Sequence, residues 1–329
     1  MLKCFLVAAA SFLLCLALLV GWYLRCLFIP IGSGKVVRNI SLPAGASIKK
    51  LAEELEKQGI IRSSRHFVLA SRLTGDAKRF KAGNYRLSNA MTTTVILRKI
   101  ANGETDFIRF TLPEGYSMYQ AAELLQKQGI MTQEAFLNAC RDRKALSTLG
   151  IKGSSVEGYL FPATYDLAHD EAPERLISRM TAHFEKMYSQ IRVGAPKAGG
   201  MSRHEVVTLA SMIEKEAVFP VERPVIASVF QNRLKLGMRL QSDPTAVYGV
   251  KTFGWTVTKA DILRPSPYNT YLNAGLPPGP IGNPGTDALR AVLYPAKTPY
   301  LYFVARRDGT HQFSRTLEEH NQAVRKYLK

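Results

Sequence analysis

The sequence is poor in cysteine, and its histidines and cysteines show no metal-binding arrangement. Of the four cysteines, Cys4, Cys15 and Cys26 lie in or beside an apolar N-terminal run, and only Cys140 lies in the body of the chain. One isolated cysteine cannot form an intrachain disulfide, so we expect no disulfide framework. The six histidines lack the spacing of a zinc site, and no phosphate-binding loop is present. The sequence therefore indicates no metal or nucleotide cofactor.

Acidic residues are also scarce relative to basic ones. The chain has 44 Lys and Arg against 26 Asp and Glu, a formal net charge of +18. Such an excess favours anionic partners, such as phosphate backbones, anionic lipid headgroups or a polymer that carries carboxylates. Because no RNP-like, zinc-finger or basic-zipper signature accompanies the charge, we expect no nucleic-acid partner. A solvated basic surface is the alternative explanation.

Long hydrophobic runs are absent after the N-terminus. Residues 4–24 are almost wholly apolar, and a run of this length can cross a hydrocarbon core of about 30 Å. Trp22 and Tyr23 stand where an interfacial aromatic belt would lie, and Lys3 and Arg25 bias the orientation only mildly toward an internal N-terminus. A cleaved signal peptide is the alternative, but no A-x-A-like site closes the run. We predict an uncleaved single-pass anchor.

An internal repeat follows the anchor. Residues 40–61 and 110–131 share an L-P-x-G-x-S entry and a Q-G-I exit. Each copy predicts a short strand, a turn, and a helix that begins after a serine and ends at Gly59 or Gly129. Since two copies are too few for a solenoid, we expect duplicated small α+β units.

Residues 206–249 form the most informative stretch. Ahead of it, an S-x-x-E capping box at 202–205 predicts the start of an amphipathic helix. We expect a break at Pro220, then a second helix and a polar loop. On the first helix, Lys215 projects toward water, and Glu214 and Glu216 lie on the two shoulders of the apolar stripe. A poorly solvated carboxylate has a raised pKa, which suits it to donate a proton near neutral pH. Periodicity does not choose between the two glutamates, and ordinary solvated helix-end charges are the alternative.

Several long motifs here are typical of one family. They are A-S-M-I-E-K-E, S-V-F-Q-N-R-L and G-M-R-L-Q-S-D-P-T-A-V-Y-G, followed by Y-N-T-Y, G-L-P-P-G-P-I and P-A-K-T-P-Y-L-Y-F-V-A. Together they resemble the YceG-like family, the MltG-type endolytic murein transglycosylases. The catalytic acid of that family is the second glutamate of an E-x-E pair, which implies Glu216 as the catalytic residue and Glu214 as its neighbour.

The resemblance implies a fold class and a domain order. The expected fold is α+β, with a single transmembrane helix, LysM-like small α+β modules and a YceG-like α+β catalytic domain. We expect an anchor and linker over residues 1–34 and a LysM-like module over residues 35–107. The catalytic domain is expected over residues 108–329, beginning with the second repeat copy. LysM modules bind glycans that contain N-acetylglucosamine; the alternative is that the repeated units only pack and position the catalytic part.

The resemblance also implies a reaction. A lytic transglycosylase cleaves the MurNAc–GlcNAc bond within nascent peptidoglycan strands and leaves 1,6-anhydroMurNAc ends, which would terminate glycan elongation. One carboxyl group serves as acid and then as base, with no metal or organic cofactor. The expected partners are peptidoglycan glycan strands, the bacterial inner membrane through the N-terminal helix, and peptidoglycan synthases. The bulk of the chain would then lie on the periplasmic side.

A set of aromatic and polar residues is expected to bind the glycan. Aromatic rings take up the apolar faces of pyranoses, and polar groups orient hydroxyls. The E-G-Y-L-F-P-A-T-Y segment is either a cleft wall or a core strand, and the aspartate before Pro244 is either a turn residue or a second catalytic carboxylate. The expected substrate-binding residues are Glu157, Tyr159, Asn232, Gln241, Asp243, Tyr248, Tyr268, Asn269 and Thr270.

Two other functions fit parts of the sequence. A membrane-anchored, non-catalytic peptidoglycan-binding scaffold agrees with the anchor and the repeats, and replacing Glu216 distinguishes it, because a scaffold does not need that carboxylate. A cytosolic lyase that acts on a chorismate-derived amine is disfavoured by the hydrophobic anchor and by the lack of a cofactor-binding lysine motif.

Overall fold

A computed structural model describes residues 2–43, 45–105, 107–195, 200–250 and 257–328. The chain divides into two compact units, Met1–Ile108 and Arg109–Lys329. Each unit has a hydrophobic core of its own. Helices and short paired strands make up both units, so the fold is of the expected α+β class.

The first unit begins with a long apolar helix, α1, over Leu2–Phe28. Its segment Ala10–Phe28 is long and apolar enough to cross a membrane, and within the described residues no other helix meets these criteria. Large apolar side chains along this segment are exposed, Trp22 to 54%, which suits a helix whose surroundings are hydrocarbon. The helix is consistent with a single-pass anchor and extends beyond the predicted end at residue 24.

A strand–helix–helix–strand–helix unit follows α1. Its elements are β1 (Val37–Leu42), α2 (Ile48–Lys57), α3 (Ser64–Leu73), a 3₁₀ turn (Asp76–Lys78), β2 (Gly83–Ser88) and α4 (Thr93–Asn102). The two strands pair antiparallel, from Val37 opposite Ser88 to Leu42 opposite Gly83. Phe67 and Tyr85 are among the buried side chains between the helices and the sheet. Gly103 ends α4 in the left-handed conformation, which costs glycine little because it has no Cβ.

The second unit begins with the same local fold. Its first elements are β3 (Ile108–Thr111), α5 (Met118–Lys127), α6 (Gln133–Cys140), α7 (Arg143–Thr148) and β4 (Thr164–Leu167). Gly59 and Gly129, after the first helix of each copy, have φ values of 71° and 67°. The prediction that the two copies share a strand, a helix and a glycine turn is therefore confirmed. In each copy the first strand pairs with the strand that follows the helices, β1 with β2 and β3 with β4.

The rest of the second unit is mainly helical. Its elements are α8 (Pro173–Arg192), α9 (Arg203–Glu216), a 3₁₀ turn (Pro220–Glu222), α10 (Arg223–Lys235), α11 (Asp243–Val247), α12 (Lys259–Leu263), α13 (Thr286–Leu293), β5 (Tyr302–Ala305), β6 (His311–Ser314) and α14 (Leu317–Tyr327). The predicted capping box at Ser202 and Glu205 is confirmed. The last two strands form an antiparallel hairpin around Asp308 and Gly309.

Helix α9 lies at the centre of this unit. Every residue from Val206 to Ile213 is buried, and α10, α11 and α13 pack against the helix. The expectation of one buried stripe with an opposite solvated face is therefore wrong, because neighbouring helices cover several faces of α9. The C-terminal end of α9, which carries the two glutamates, is partly exposed.

Candidate active site

The first glutamate of the E-x-E pair is bound by the protein itself. Glu214 Oε1 lies 2.5 Å from Arg223 Nη2, and the side chain is only 4% exposed. Its Oε2 accepts a hydrogen bond of 2.9 Å from the backbone N–H of Gly285. Since Arg223 begins α10 and Gly285 is the N-cap of α13, Glu214 joins both helices to α9.

The second glutamate, Glu216, is the last residue of α9 and lines an open groove. Its Oε1 accepts a hydrogen bond of 2.5 Å from Ser242 Oγ. The pKa of Glu216 is raised to about 7, mainly by burial; the Ser242 hydrogen bond lowers this pKa in part, and the neighbouring charge of Asp243 raises it. Backbone carbonyls at a helix C-terminus also disfavour a negative charge. Near neutral pH this carboxyl group can therefore give a proton and take one back.

The groove beside Glu216 has a volume of about 590 Å³. Its wall contains acidic, basic and amide groups together with aromatic rings, which is a composition that suits a polar ligand with apolar faces. Besides Glu216, the side chains that contribute these groups include Arg233, Gln241, Asp243, Tyr271, Tyr302, Phe303, His311, His320 and Asn321.

The loop before α11 is held in a strained shape at this groove. Gln241 has a φ of 52° although it is not glycine, and such positions cluster at functional sites. Its N–H donates to the Thr270 carbonyl at 3.2 Å, and its Oε1 lies 3.4 Å from Arg233 Nη1. Two residues on, Asp243 Oδ1 accepts a 2.6 Å hydrogen bond from the Tyr271 hydroxyl. The loop therefore presents an amide and a carboxylate in fixed positions.

Arg233 connects the walls of the groove. Its Nε donates to the Leu301 carbonyl at 2.6 Å, and its Nη1 donates to the Leu240 carbonyl at 2.8 Å. The guanidinium lies 5.0 Å from the centre of the Tyr302 ring, within cation–π range. Arg233, Ser242 and His311 were not among the residues predicted to form the site.

Two of the predicted substrate-binding residues lie behind the groove. Asn269 and Thr270 are buried. Asn269 Nδ2 donates to the carbonyls of Ile262 and Arg264, at 2.8 and 2.9 Å. Thr270 Oγ1 accepts a 3.0 Å hydrogen bond from Ser242 N–H. The expectation that both line the groove is wrong, because their polar groups pair inside the protein; they support the loop that carries Ser242.

Asn232 and Tyr159 also turn inward. Asn232 Nδ2 donates to the carbonyls of Thr298 and Tyr300, at 2.8 and 3.0 Å, and so joins α10 to the chain before β5. Tyr159 is buried, and its ring packs edge-on against Phe184 at 5.1 Å. For the segment around Tyr159, the core alternative is therefore correct, since an enclosed ring offers no face to a sugar.

The remaining predicted residues, Glu157, Tyr248 and Tyr268, lie together on another side of α9. Glu157 is 2% exposed; it accepts hydrogen bonds from Met118 N–H and the Tyr248 hydroxyl, each at 3.0 Å. Burial raises the pKa of Glu157 to about 7. The Tyr268 ring packs against Tyr248 at 4.7 Å. Through the hydrogen bonds from Met118 and Tyr248, Glu157 joins α5 to the C-terminal half of the unit.

Lys215 belongs to this second cluster. With Tyr119 and Tyr248 it lines a separate cavity of about 290 Å³. Burial lowers the pKa of Lys215 to about 8, although the charges of Glu157 and Glu214 oppose this effect. The prediction that Lys215 projects toward water is therefore wrong. Among the described residues, no group of His, Cys, Asp and Glu side chains could hold a metal ion.

The fold and the site define a class of protein. It has an apolar N-terminal helix, a duplicated small α+β unit, and a helical body in which the carboxyl group of Glu216, with a pKa of about 7, lies beside a polar and aromatic groove. The model of the YceG-like family matches residues 40–326, and the chain belongs to that family. The predicted family membership is thus confirmed.

Similar proteins carry one functional name. The chain is 36% identical over 315 residues to a Bacillus subtilis protein named endolytic murein transglycosylase, covering 89% of this chain and 86% of the relative. A Streptococcus pneumoniae protein of the same name is 32% identical over 357 residues, which cover 97% of this chain but 64% of the relative. A crystal structure of a yceG-like protein from Listeria monocytogenes matches with a TM-score of 0.59 and 36% identity, covering 88% of this chain and 100% of that one.

Proposed function

We propose that this protein is an endolytic lytic transglycosylase that cleaves the MurNAc–GlcNAc bond within nascent peptidoglycan strands, with Glu216 as the catalytic residue. The observation that carries the proposal is the contrast within the E-x-E pair. Both oxygens of Glu214 are used by protein partners, whereas Glu216 lines an open groove and has a pKa of about 7. The name carried by the relatives supports the same activity.

The reaction uses Glu216 in two protonation states. The protonated carboxyl group gives its proton to the glycosidic oxygen as the bond to the muramyl C1 breaks. The carboxylate then takes the proton of the muramyl C6 hydroxyl, whose oxygen closes onto C1 and forms the 1,6-anhydro end. No water is consumed, and Glu216 returns to its protonated state. A pKa of about 7 makes both states accessible, and the Ser242 hydroxyl stabilises the carboxylate between the two steps.

We assign substrate contacts within the groove to Gln241, Asp243 and Tyr271. Gln241 supplies an amide, Asp243 an acceptor, and Tyr271 a ring that its hydrogen bond to Asp243 orients. Asp243 has a second effect, because its charge helps keep Glu216 protonated for the first step. Tyr248 and Tyr268, at the neighbouring cavity, are candidates for contacts further along the strand. Glu157, Tyr159, Asn232, Asn269 and Thr270 act indirectly, through packing and hydrogen bonds.

The first unit and the apolar helix fit the same function. The order β1–α2–α3–β2, with antiparallel strands, supports a LysM-like module that contacts glycan or positions the catalytic unit. The helix at Ala10–Phe28 would hold the enzyme in the inner membrane, with the body on the periplasmic side where murein lies. An anchored enzyme would act close to peptidoglycan synthases and would end strands as they grow.

The test is a comparison of products from the full-length protein in detergent. Uncrosslinked murein strands are incubated with the unmodified protein, with Glu216→Gln, and with Glu134→Gln as a control at an exposed glutamate. Mass spectrometry should find 1,6-anhydromuramyl ends with the unmodified protein and the control. Since general acid–base catalysis is typically worth about 10²–10⁴-fold, Glu216→Gln should lose at least that much rate. Reducing muramic ends, or full activity of Glu216→Gln, would reject the mechanism, and full activity would favour the scaffold.

A further inference from the structure

A second hydrogen-bonded pair lies at the groove that holds Glu216. His311 begins β6 and lines the groove, and Glu222 ends the 3₁₀ turn that follows α9. Glu222 Oε2 lies 2.8 Å from His311 Nδ1. Glu222 Oε1 accepts a 2.9 Å hydrogen bond from the backbone N–H of His311. One residue therefore occupies both oxygens of the Glu222 carboxylate.

This arrangement decides which ring nitrogen is available. Because Glu222 as a carboxylate can only accept, Nδ1 of His311 carries a proton. Among the described residues Nε2 has no hydrogen-bond partner, and it is not completely enclosed by the protein. Carboxylate–imidazole pairs fix the tautomer and ring direction at many catalytic and metal sites. Here the pair leaves Nε2 as the free polar atom of a ring that lines the groove.

Aromatic neighbours hold the imidazole in place. The Phe303 ring meets it edge-on, with centroids 5.4 Å apart and an interplanar angle of 88°, and the Phe313 ring lies 6.3 Å away. The side chain is only 6% exposed. A ring fixed by two phenyl groups and a bidentate carboxylate cannot turn freely, so the position of Nε2 is set before any ligand arrives.

We propose that His311, oriented by Glu222, binds a sugar hydroxyl of the glycan in the Glu216 groove. This inference rests on the proposed function. A hydroxyl both donates and accepts hydrogen bonds, so it pairs with Nε2 whether the ring is neutral or protonated. A carbonyl or carboxylate only accepts, and it would need the protonated ring. Under this proposal His311 touches the substrate, and Glu222 is a positioning residue that acts through it.

Two substitutions of His311 separate this role from a structural one. The amide nitrogen of asparagine lies near the place of Nδ1, so His311→Asn keeps a donor for Glu222 and loses the group at Nε2. The amide nitrogen of glutamine lies near the place of Nε2, so His311→Gln keeps a polar group facing the groove and loses the side-chain hydrogen bond to Glu222, while the backbone hydrogen bond remains.

We expect His311→Asn to unfold at nearly the unmodified midpoint while its kcat/KM on uncrosslinked murein strands falls about twofold to tenfold, the worth of one hydrogen bond. His311→Gln should unfold more easily yet keep more activity per folded molecule. Glu222→Gln should lower kcat/KM in the unmodified background and have little further effect in His311→Asn, because contacts that act through one another are not additive. His169→Asn, at an exposed histidine, controls for the substitution itself.

The opposite ranking of the activities of His311→Asn and His311→Gln would overturn the inference. If His311→Asn keeps full activity and His311→Gln loses activity in proportion to its lower stability, the pair only fastens the β5–β6 hairpin to the turn after α9. Glu216→Gln, assayed in parallel, separates the two proposals. An inactive Glu216→Gln beside a fully active His311→Asn refutes the role of His311 and leaves the proposed function intact. A fully active Glu216→Gln refutes the proposed function.

Discussion

Replacing Glu216 by glutamine should make the protein more stable as well as inactive, and the gain should depend on pH. Burial raises the pKa of Glu216 from 4.5 to about 7, so the folded state keeps a proton that the unfolded chain has already lost. At pH values between these two pKa values the folded state binds more protons than the unfolded state, so the free energy of unfolding falls as pH rises. One pKa unit corresponds to about 1.4 kcal/mol, so the loss approaches about 3 kcal/mol above pH 7.

Glutamine has nearly the same shape and no charge to desolvate. Glu216→Gln should therefore match the unmodified protein at pH 4, where both carry a neutral side chain, and exceed it by up to about 3 kcal/mol at pH 8. The assay is urea unfolding in detergent micelles at both pH values, followed by circular dichroism. Glu157 also has a pKa of about 7, but it is present in both proteins and cancels. An equal difference at the two pH values would refute a buried, proton-holding Glu216.

The remaining predictions concern the residues around this carboxyl group. Asp243→Asn removes a charge that raises the pKa of Glu216. The pH above which kcat/KM falls should therefore be lower in this variant than in the unmodified protein. Ser242→Ala removes a hydrogen bond that lowers the same pKa, so the pH above which kcat/KM falls should be higher in this variant. If the two variants shift this pH in the same direction, Glu216 is not the group that the pH–rate profile reports. Glu214→Gln breaks a buried ion pair and should cost about 3–5 kcal/mol in urea unfolding, without moving the profile. Asn269→Ala leaves two carbonyls without their donor and should cost about 1–3 kcal/mol, while KM, measured on strands of fixed length, stays unchanged.

Local patterns in the sequence were sufficient to predict the secondary-structure elements around the site. The capping box at Ser202 and Glu205 and the break at Pro220 depend on neighbours a few residues apart, and the structure confirms both. The error at Lys215 has a physical cause. A helical wheel assumes one apolar stripe and one solvated face, whereas several helices cover α9.

The side-chain environment of the site was harder to predict. Family motifs indicate which segments matter, but they do not say whether a polar side chain faces a groove or the interior, and so Asn269 and Gln241 were assigned the same role. His311 and Glu222 are far apart in sequence and meet only after the hairpin folds against the turn that follows α9. No periodicity or spacing in the chain signals such a pair.

The two copies of the repeated unit differ in how firmly the start of their first helix is held. In the first copy, the N-cap Ser47 of α2 makes no side-chain hydrogen bond. In the second copy, Ser117 and Gln120 form a complete capping box on α5, and Glu157 binds the N–H of Met118. Amide hydrogens at the start of α5 should therefore exchange more slowly than those of α2. The first copy belongs to a unit of its own, whereas the hydrogen bonds of Glu157 make the second copy part of the unit that carries the groove.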